Sequence, residues 1–238
     1  MAADELRSEL AIFGDPDDRR SVSLAENLKV ALKPRVDAPD TWHLVAAGGN
    51  LEISGPNGIR FSLSEAEIEQ RLMGFSQSSL AKACAASRMP RIFDALSGWG
   101  TDGLTLSMFG CEVVSCEINP LVATLSRSRV LTMAPEMLVL CCDANDYLRC
   151  GSYHFDVIYL DAMFPEHPKG ARPSKSLQVL AALAESCDLS QTLKLARCVA
   201  ADRVVVKRRR NQAPEDEQPA WSVEGKTVRF DVYRSSSM

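Results

Sequence analysis

No run of about 18 apolar residues occurs anywhere in the 238-residue sequence, so it contains no candidate membrane-spanning helix. Histidine is scarce, with only His43, His154 and His167. The cysteines Cys84, Cys111, Cys116, Cys141, Cys142, Cys150, Cys187 and Cys198 include no C-x-x-C pair. That spacing excludes the common zinc sites and a disulfide scaffold, so no metal is expected. Cysteines inside apolar runs such as Leu138–Cys142 read as small buried hydrophobes in a reducing, cytosol-like compartment. The first ten residues, MAADELRSEL, lack the basic-then-apolar order of a signal peptide, and a cytoplasmic protein is the expectation. No internal repeat is visible.

What is present is a soluble globular composition: 46% hydrophobic, 24% charged, with enough apolar material for a sizeable core. The net charge of −4 stands, at first sight, against a nucleic-acid partner.

Residues 1–40 are polar, with Asp15–Arg20 reading DPDDRR, and show no sustained period; they are expected to form a loosely attached N-terminal segment. Residues 41–90 carry a hairpin signal. Leu51–Ser54 and Ile59–Leu63 alternate apolar and polar residues around the turn Gly55-Pro-Asn-Gly58. Ser64 with Glu67 forms a capping-box pattern for a helix from Glu65 to about Met73, and a short helix over Ser79–Ser87 follows.

From Arg91 to the end the pattern is strand, turn, helix, repeated. The strands are Ile92–Leu96, Cys111–Cys116, Met137–Cys142, Phe155–Leu160, Val204–Lys207 and Val228–Tyr233. Helices are expected at Thr101–Phe109, from Pro120 to about Leu131, at Leu177–Ala184 and at Leu189–Ala200. Continuously apolar strands alternating with helices predict an α/β fold with a mostly parallel twisted sheet. The last two strands have no helix between them, which suits a final antiparallel pair.

The sharpest local feature is Gly98-Trp-Gly100-Thr-Asp-Gly103, a G-x-G-x-x-G run directly after the first of these strands and opening a helix. Glycines there let the backbone turn tightly and approach a ligand, while helix N–H groups point at it. The next strand ends in Glu117, an acid placed to accept hydrogen bonds from both ribose hydroxyls. Together they specify an adenosine-type ligand. Asp102 sits in the first helical turn, where a dinucleotide's pyrophosphate would lie, and Asp94 closes the first strand. Carboxylates repel a pyrophosphate but suit a phosphate-free, cationic sulfonium, which favours S-adenosylmethionine over NAD. Asp143, after the third strand, is placed for the adenine amine. The turn Asp161-Ala-Met-Phe-Pro165, after the fourth, is placed for the acceptor.

These segments resemble the bacterial small-subunit rRNA guanine-N2 methyltransferase J family. The resemblance runs from about Leu51 to Tyr233 and rests on Asp94–Gly103, Gly110–Pro120, Tyr159–Pro165, Arg203–Arg208 and Arg229–Tyr233. It implies a Rossmann-like class I methyltransferase, S-adenosylmethionine as cofactor, and the exocyclic amine of a 16S rRNA guanine as acceptor. By matching motif it implies cofactor contacts at Thr101, Asp102, Glu117, Ile118, Asp143, Ala144 and Asp161. Asp161 and Phe164 are the catalytic candidates: the Asp161 carboxylate and the Ala162 carbonyl to hold the amine, Phe164 to stack on an extruded or single-stranded base. The chain departs from the family's D-P-M-F-P turn at Ala162, and its stretch Gln70–Ser79 holds one arginine and one glycine where the family has a basic, glycine-rich segment.

Split by position, the charge looks different. Residues 1–159 hold 14 basic and 21 acidic side chains; residues 160–238 hold 13 and 10. Lys169, Arg172 and Lys175 after the acceptor turn, with Lys207-Arg-Arg-Arg210, are expected to form a phosphate-contacting rim for 16S rRNA or the small ribosomal subunit. Two other readings compete. The glycine motif with Glu117 also suits an NAD-dependent oxidoreductase, although no catalytic His or Tyr-Lys constellation accompanies it. A non-catalytic RNA-binding protein with a decayed methyltransferase fold is the other.

Overall fold

The computed structural model describes residues 10–151, 154–162, 174–214 and 218–236. Two sheets organise the chain.

The first has the order β2-β1-β3-β4-β5 and is built from β1 (Ala11–Gly14), β2 (Ala31–Pro34), β3 (His43–Ala47), β4 (Asn50–Gly55) and β5 (Ile59–Phe61). The expected hairpin is its β4–β5 edge, antiparallel with Gly55 opposite Ile59. The loosely attached segment expected before residue 41 is a correction. Ala11–Gly14 is a fully buried strand, parallel to both β2 and β3, and helix α1 (Arg19–Leu28) crosses over from β1 to β2. Asp18 caps α1 by accepting from the amides of Arg20 and Ser21, and Ser21, Ala25 and Leu28 form its buried stripe. The signal was a four-residue apolar run ending in Gly14-Asp-Pro, diluted by the charged residues around it.

The second sheet follows after helices α2 (Glu65–Leu72) and α3 (Ser79–Ala83). Ser64 takes the N-cap position of α2, but its side chain makes no capping hydrogen bond, so the expected capping box does not form. Seven strands run in the order β11-β12-β10-β9-β6-β7-β8: β6 (Arg91–Asp94), β7 (Glu112–Glu117), β8 (Leu138–Cys141), β9 (Phe155–Leu160), β10 (Ala200–Arg209), β11 (Trp221–Glu224) and β12 (Val228–Arg234). The strands from β8 to β10 are parallel, whereas β12 and β11 are antiparallel to their neighbours. β11 lies between the expected strands Val204–Lys207 and Val228–Tyr233, where no strand was expected. Helices α4 (Thr101–Phe109), α5 (Pro120–Met133), α6 (Ala144–Arg149), α7 (Lys175–Leu183) and α8 (Leu189–Val199) connect the strands.

This order fixes the site. From β6 the chain proceeds outward on one side through β7 and β8, then returns to the other side for β9 and β10. Loops at the carboxyl ends of β6 and β9 therefore diverge and leave a crevice between them, where open α/β sheets bind ligands. The N-terminal sheet does not stand apart. Its Ile12, Leu44 and Ile53 share one buried cluster with Trp99 of the glycine turn, Val122 and Leu125 of α5, and Val179 and Leu183 of α7.

Candidate active site

The glycine turn holds its shape through backbone geometry and two neighbours. Gly98 (φ 51°) and Gly100 (φ 67°) are left-handed, and Gly100 caps α4. The Gly98 amide donates to Glu117 Oε2 at 3.0 Å and the Asn119 amide to Oε1 at 2.7 Å. Glu117 thus ties the turn to the end of β7 while its remaining lone pairs stay available. Burial pushes its carboxyl up, although the two amides oppose that. From beneath, Arg129 Nη2 donates to the Trp99 carbonyl at 2.7 Å and to Thr101 Oγ1 at 3.1 Å. Trp99 Nε1 reaches the Ser176 carbonyl at 3.3 Å, and Asn119 Nδ2 the Leu183 carbonyl at 2.9 Å, so α7 is fastened at both ends to the cofactor side.

At Gly100 a β-carbon would sit 2.4 Å from Ser126 Oγ. Gly100→Ala, with both the strained φ and this clash, is expected to cost about 1–3 kcal/mol and to weaken S-adenosylhomocysteine binding. Thermal melting with and without that ligand measures both.

Across the crevice lies a cluster of charges that no single motif displayed. Lys207 Nζ donates to Asp161 Oδ2 at 2.7 Å and to Asp102 Oδ2 at 2.8 Å. Tyr159 Oη donates to the same Asp102 oxygen at 2.6 Å, and Arg71, from α2, pairs with Asp102 Oδ1. Burial works against the Asp102 charge, but Lys207 and Arg71 outweigh it and hold the carboxyl at about 2. Asp161 differs: burial raises its carboxyl to about 6, only partly countered by Lys207 and reinforced by Asp102. Burial opposes the Lys207 charge too, yet the two carboxylates keep its ammonium above the ordinary lysine range. Burial, together with the charges of Asp102 and Asp161, pushes the carboxyl of Asp94, 1% exposed, well above its ordinary value.

Several sequence expectations change here. Asp102 does sit in the first turn of α4, but its carboxylate is spent on Arg71, Lys207 and Tyr159 and its side chain is 6% exposed. Asp143 Oδ1 caps α6, accepting from the amides of Asn145 and Asp146. Two members of the expected RNA rim are corrected. Lys207 belongs to the buried charge cluster, and Arg208 is 2% exposed, packed toward Asp231 inside the β10–β12 pair. Alternation along β10 hid this, because a run of basic residues in a strand splits between two faces. Phe164, Lys169 and Arg172 lie outside the described residues. Arg71, Tyr159 and Arg129 were not among the sequence candidates. Arg129 is one of two arginines in the helix Pro120–Met133, and only the structure shows that it is the buried one; Tyr159 was visible only as a strand residue.

With this geometry fixed, likenesses to known proteins become informative. Residues 50–235 match the family described as "Putative SAM-dependent methyltransferase". The chain is 34% identical over 231 residues to Ribosomal RNA small subunit methyltransferase J of Coxiella burnetii, covering 88% of this chain and 90% of that protein. The chain belongs to this methyltransferase J family. The Pseudomonas aeruginosa member is likewise 34% identical, over 199 residues, with 77% and 76% covered. Among solved structures, a SAM-dependent methyltransferase from Neisseria gonorrhoeae superposes with a TM-score of 0.73 at 22% identity, covering 96% of this chain and 97% of that one. A 16S rRNA N2 G1207 methyltransferase from T. thermophilus, complexed with AdoMet and guanosine, gives 0.52 at 16% identity, covering 87% and 54%. Both share the class I Rossmann-like fold.

As a methyltransferase J family member the chain uses S-adenosylmethionine, and the crevice fits it. A β-carbon at Gly103 would lie 2.5 Å from Asp94 Oδ2, so the backbone approaches that acid as closely as glycine alone permits. Asp94 Oδ1 is buried and has no hydrogen-bond partner among the described residues, an orphan that a ligand donor or acceptor would satisfy. Ile118 is an apolar side chain left 38% exposed beside Glu117, as an aromatic base requires. Among the described residues there, the cations Arg71 and Lys207 are both committed to carboxylates rather than open to a pyrophosphate. The NAD reading and the decayed-fold reading fall with family membership.

Proposed function

We infer that this methyltransferase modifies the exocyclic N2 amine of a guanine in 16S rRNA. The observation that carries the reading is Asp161: it follows β9 at the crevice, its side chain is 30% exposed, and one of its oxygens is fixed by Lys207. The fully named relatives act on small-subunit rRNA, and their length is largely covered by this chain. When bound, S-adenosylmethionine supplies an electrophilic methyl on a sulfonium, which leaves as a neutral thioether. Glu117 holds the ribose, Ile118 and Ala144 flank the adenine, and Asp143 meets its amine. Gly98, Gly100, Thr101 and Asp94 line the other end.

A guanine amine is a weak nucleophile because its lone pair is delocalised into the ring. Asp161 Oδ1 and the Ala162 carbonyl, each accepting one N–H, localise that pair and orient it. Most of the acceleration then comes from positioning. After transfer the nitrogen is cationic and acidic, and its proton passes to Asp161 or to water. Phe164 stacks on the presented base, and Lys169 and Arg172 contact phosphates. Among the described residues no helix is long and apolar enough to cross a membrane; the cell's cytoplasm, where ribosomes are, is the proposed location.

Incubating the protein with methyl-labelled S-adenosylmethionine and either naked 16S rRNA or small subunits tests this directly. Nucleoside digestion is expected to place the label in N2-methylguanosine. Label in any other nucleoside, or none with either substrate, overturns the reading.

A further inference from the structure

We propose that Lys207 is the positioning residue of the acceptor site, its ammonium fixing Asp161 through Oδ2 and leaving Oδ1 for the substrate amine, while Arg71 on Asp102 keeps that ammonium from being drawn wholly to Asp102. The inference rests on Asp161 being the amine's acceptor, as proposed above.

The geometry is specific. One ammonium bridges two carboxylates at 2.7 and 2.8 Å, and these come from different elements, the end of β9 and the first turn of α4. Without a second cation, Asp102 would compete for Lys207 with the full force of a buried anion. Arg71 on its Oδ1 and the Tyr159 hydroxyl on its Oδ2 satisfy it instead. The groups facing Asp161 among the described residues are therefore Lys207 from β10, Asp102 from α4, Arg71 from α2, Tyr159 from β9 and Asp94 from β6. Two are cationic, and only Lys207 touches Asp161 directly.

The consequence is an acid limb. With its carboxyl at about 6, Asp161 is protonated below that pH, loses its acceptor capacity on the protonated oxygen, and turns over slowly; activity rises as pH climbs through about 6. Lys207→Met removes the cation that contacts Asp161 among the described residues. Its acid limb is expected to move to higher pH by about 1–3 units, since a close opposite charge shifts a carboxyl by that much. Lys207→Arg keeps the charge and should restore most of the wild-type limb, with a lower kcat because a planar fork replaces a point donor. Arg71→Met acts at one remove and should shift the limb in the same direction by less.

The experiment is the pH profile of kcat for methyl transfer to small subunits by the wild type, these three variants and Asp161→Asn, with S-adenosylhomocysteine affinity measured alongside. Unchanged affinity with a displaced limb in Lys207→Met supports the role. A wild-type limb in that variant overturns it, even where kcat has dropped. Should Lys207→Met fail to fold, Arg71→Met decides, and an unmoved limb there overturns the proposal. If Asp161→Asn retains normal turnover, the acceptor assignment itself fails; if Asp161→Asn is inactive and only the limb of the Lys207 variant stays put, Lys207 alone loses its role.

Discussion

Asp161→Asn is expected to lower kcat by about two to four orders of magnitude while leaving the fold and cofactor affinity close to wild type. The amide keeps the shape of the carboxylate and one acceptor oxygen. It cannot take the proton of the methylated amine, and it presents an NH₂ where Lys207 or the substrate needs an acceptor. The side chain is 30% exposed, so solvent absorbs part of the lost ion pair and the stability effect stays modest. Single-turnover transfer with saturating small subunits, set beside S-adenosylhomocysteine calorimetry, separates chemistry from binding. A variant within a few fold of wild type would remove Asp161 from the reaction.

The second large effect is on stability. Asp102→Ala should destabilise the protein by about 3–5 kcal/mol, because deleting one partner of a buried ionic cluster strands the others. Asp102 is 6% exposed and receives Arg71, Lys207 and Tyr159; without it Lys207 keeps only Asp161, and Arg71 keeps no partner within the cluster. Against a typical total of about 5–15 kcal/mol, that loss brings the protein close to unfolding at growth temperature. The pH dependence follows from the direction of the shift. The carboxyl is held at about 2, below its ordinary 3.8, so its contribution is complete above 3.8 and fades as pH falls through about 2. Urea unfolding at pH 5, 3 and 2 should show that slope in the wild type and a shallower one in Asp102→Ala. A loss under about 1 kcal/mol at pH 5 would mean that the cluster relaxes around the gap.

The same cluster explains where reading the sequence stopped. The glycine motif, its strand, helix α4 from Thr101 to Phe109 and strand β9 from Phe155 to Leu160 were all legible, because each is a local pattern of apolar periodicity bounded by turn residues. Strand β1 was missed although its four residues are buried: one short apolar run among many charges carries too little periodic signal, and only its pairing with β2 and β3 makes it a strand. Strand β11 was missed for the same reason, its residues gaining their place by pairing with β12. Asp143 was read for a ligand role alone, yet it is the N-cap of helix α6, and the same carboxylate accepts from that helix's first-turn amides.

Charge was the least local property of all. The basic run Lys207–Arg210 suggested an RNA-facing rim, but in β10 its members separate. Lys207 turns to Asp102 and Asp161, Arg208 is buried toward Asp231, and Arg210 pairs with Glu224.

The sequence by itself determined the α/β architecture, the adenosine-type crevice at Gly98–Gly103 with Glu117, and the methyltransferase J membership, since these reside in contiguous runs whose backbone geometry and hydrophobic period are set within a few residues. Tertiary structure alone decided which charges meet. Arg71, Asp102, Tyr159, Asp161 and Lys207 come from α2, α4, β9 with its carboxyl end, and β10, spread over 137 positions of the chain, and only the switch in strand order at β6 and β9, with α2 laid across α4, brings them within hydrogen-bonding distance. Electrostatic coupling depends on distance in space and on exclusion of water, and neither is written in the order of residues.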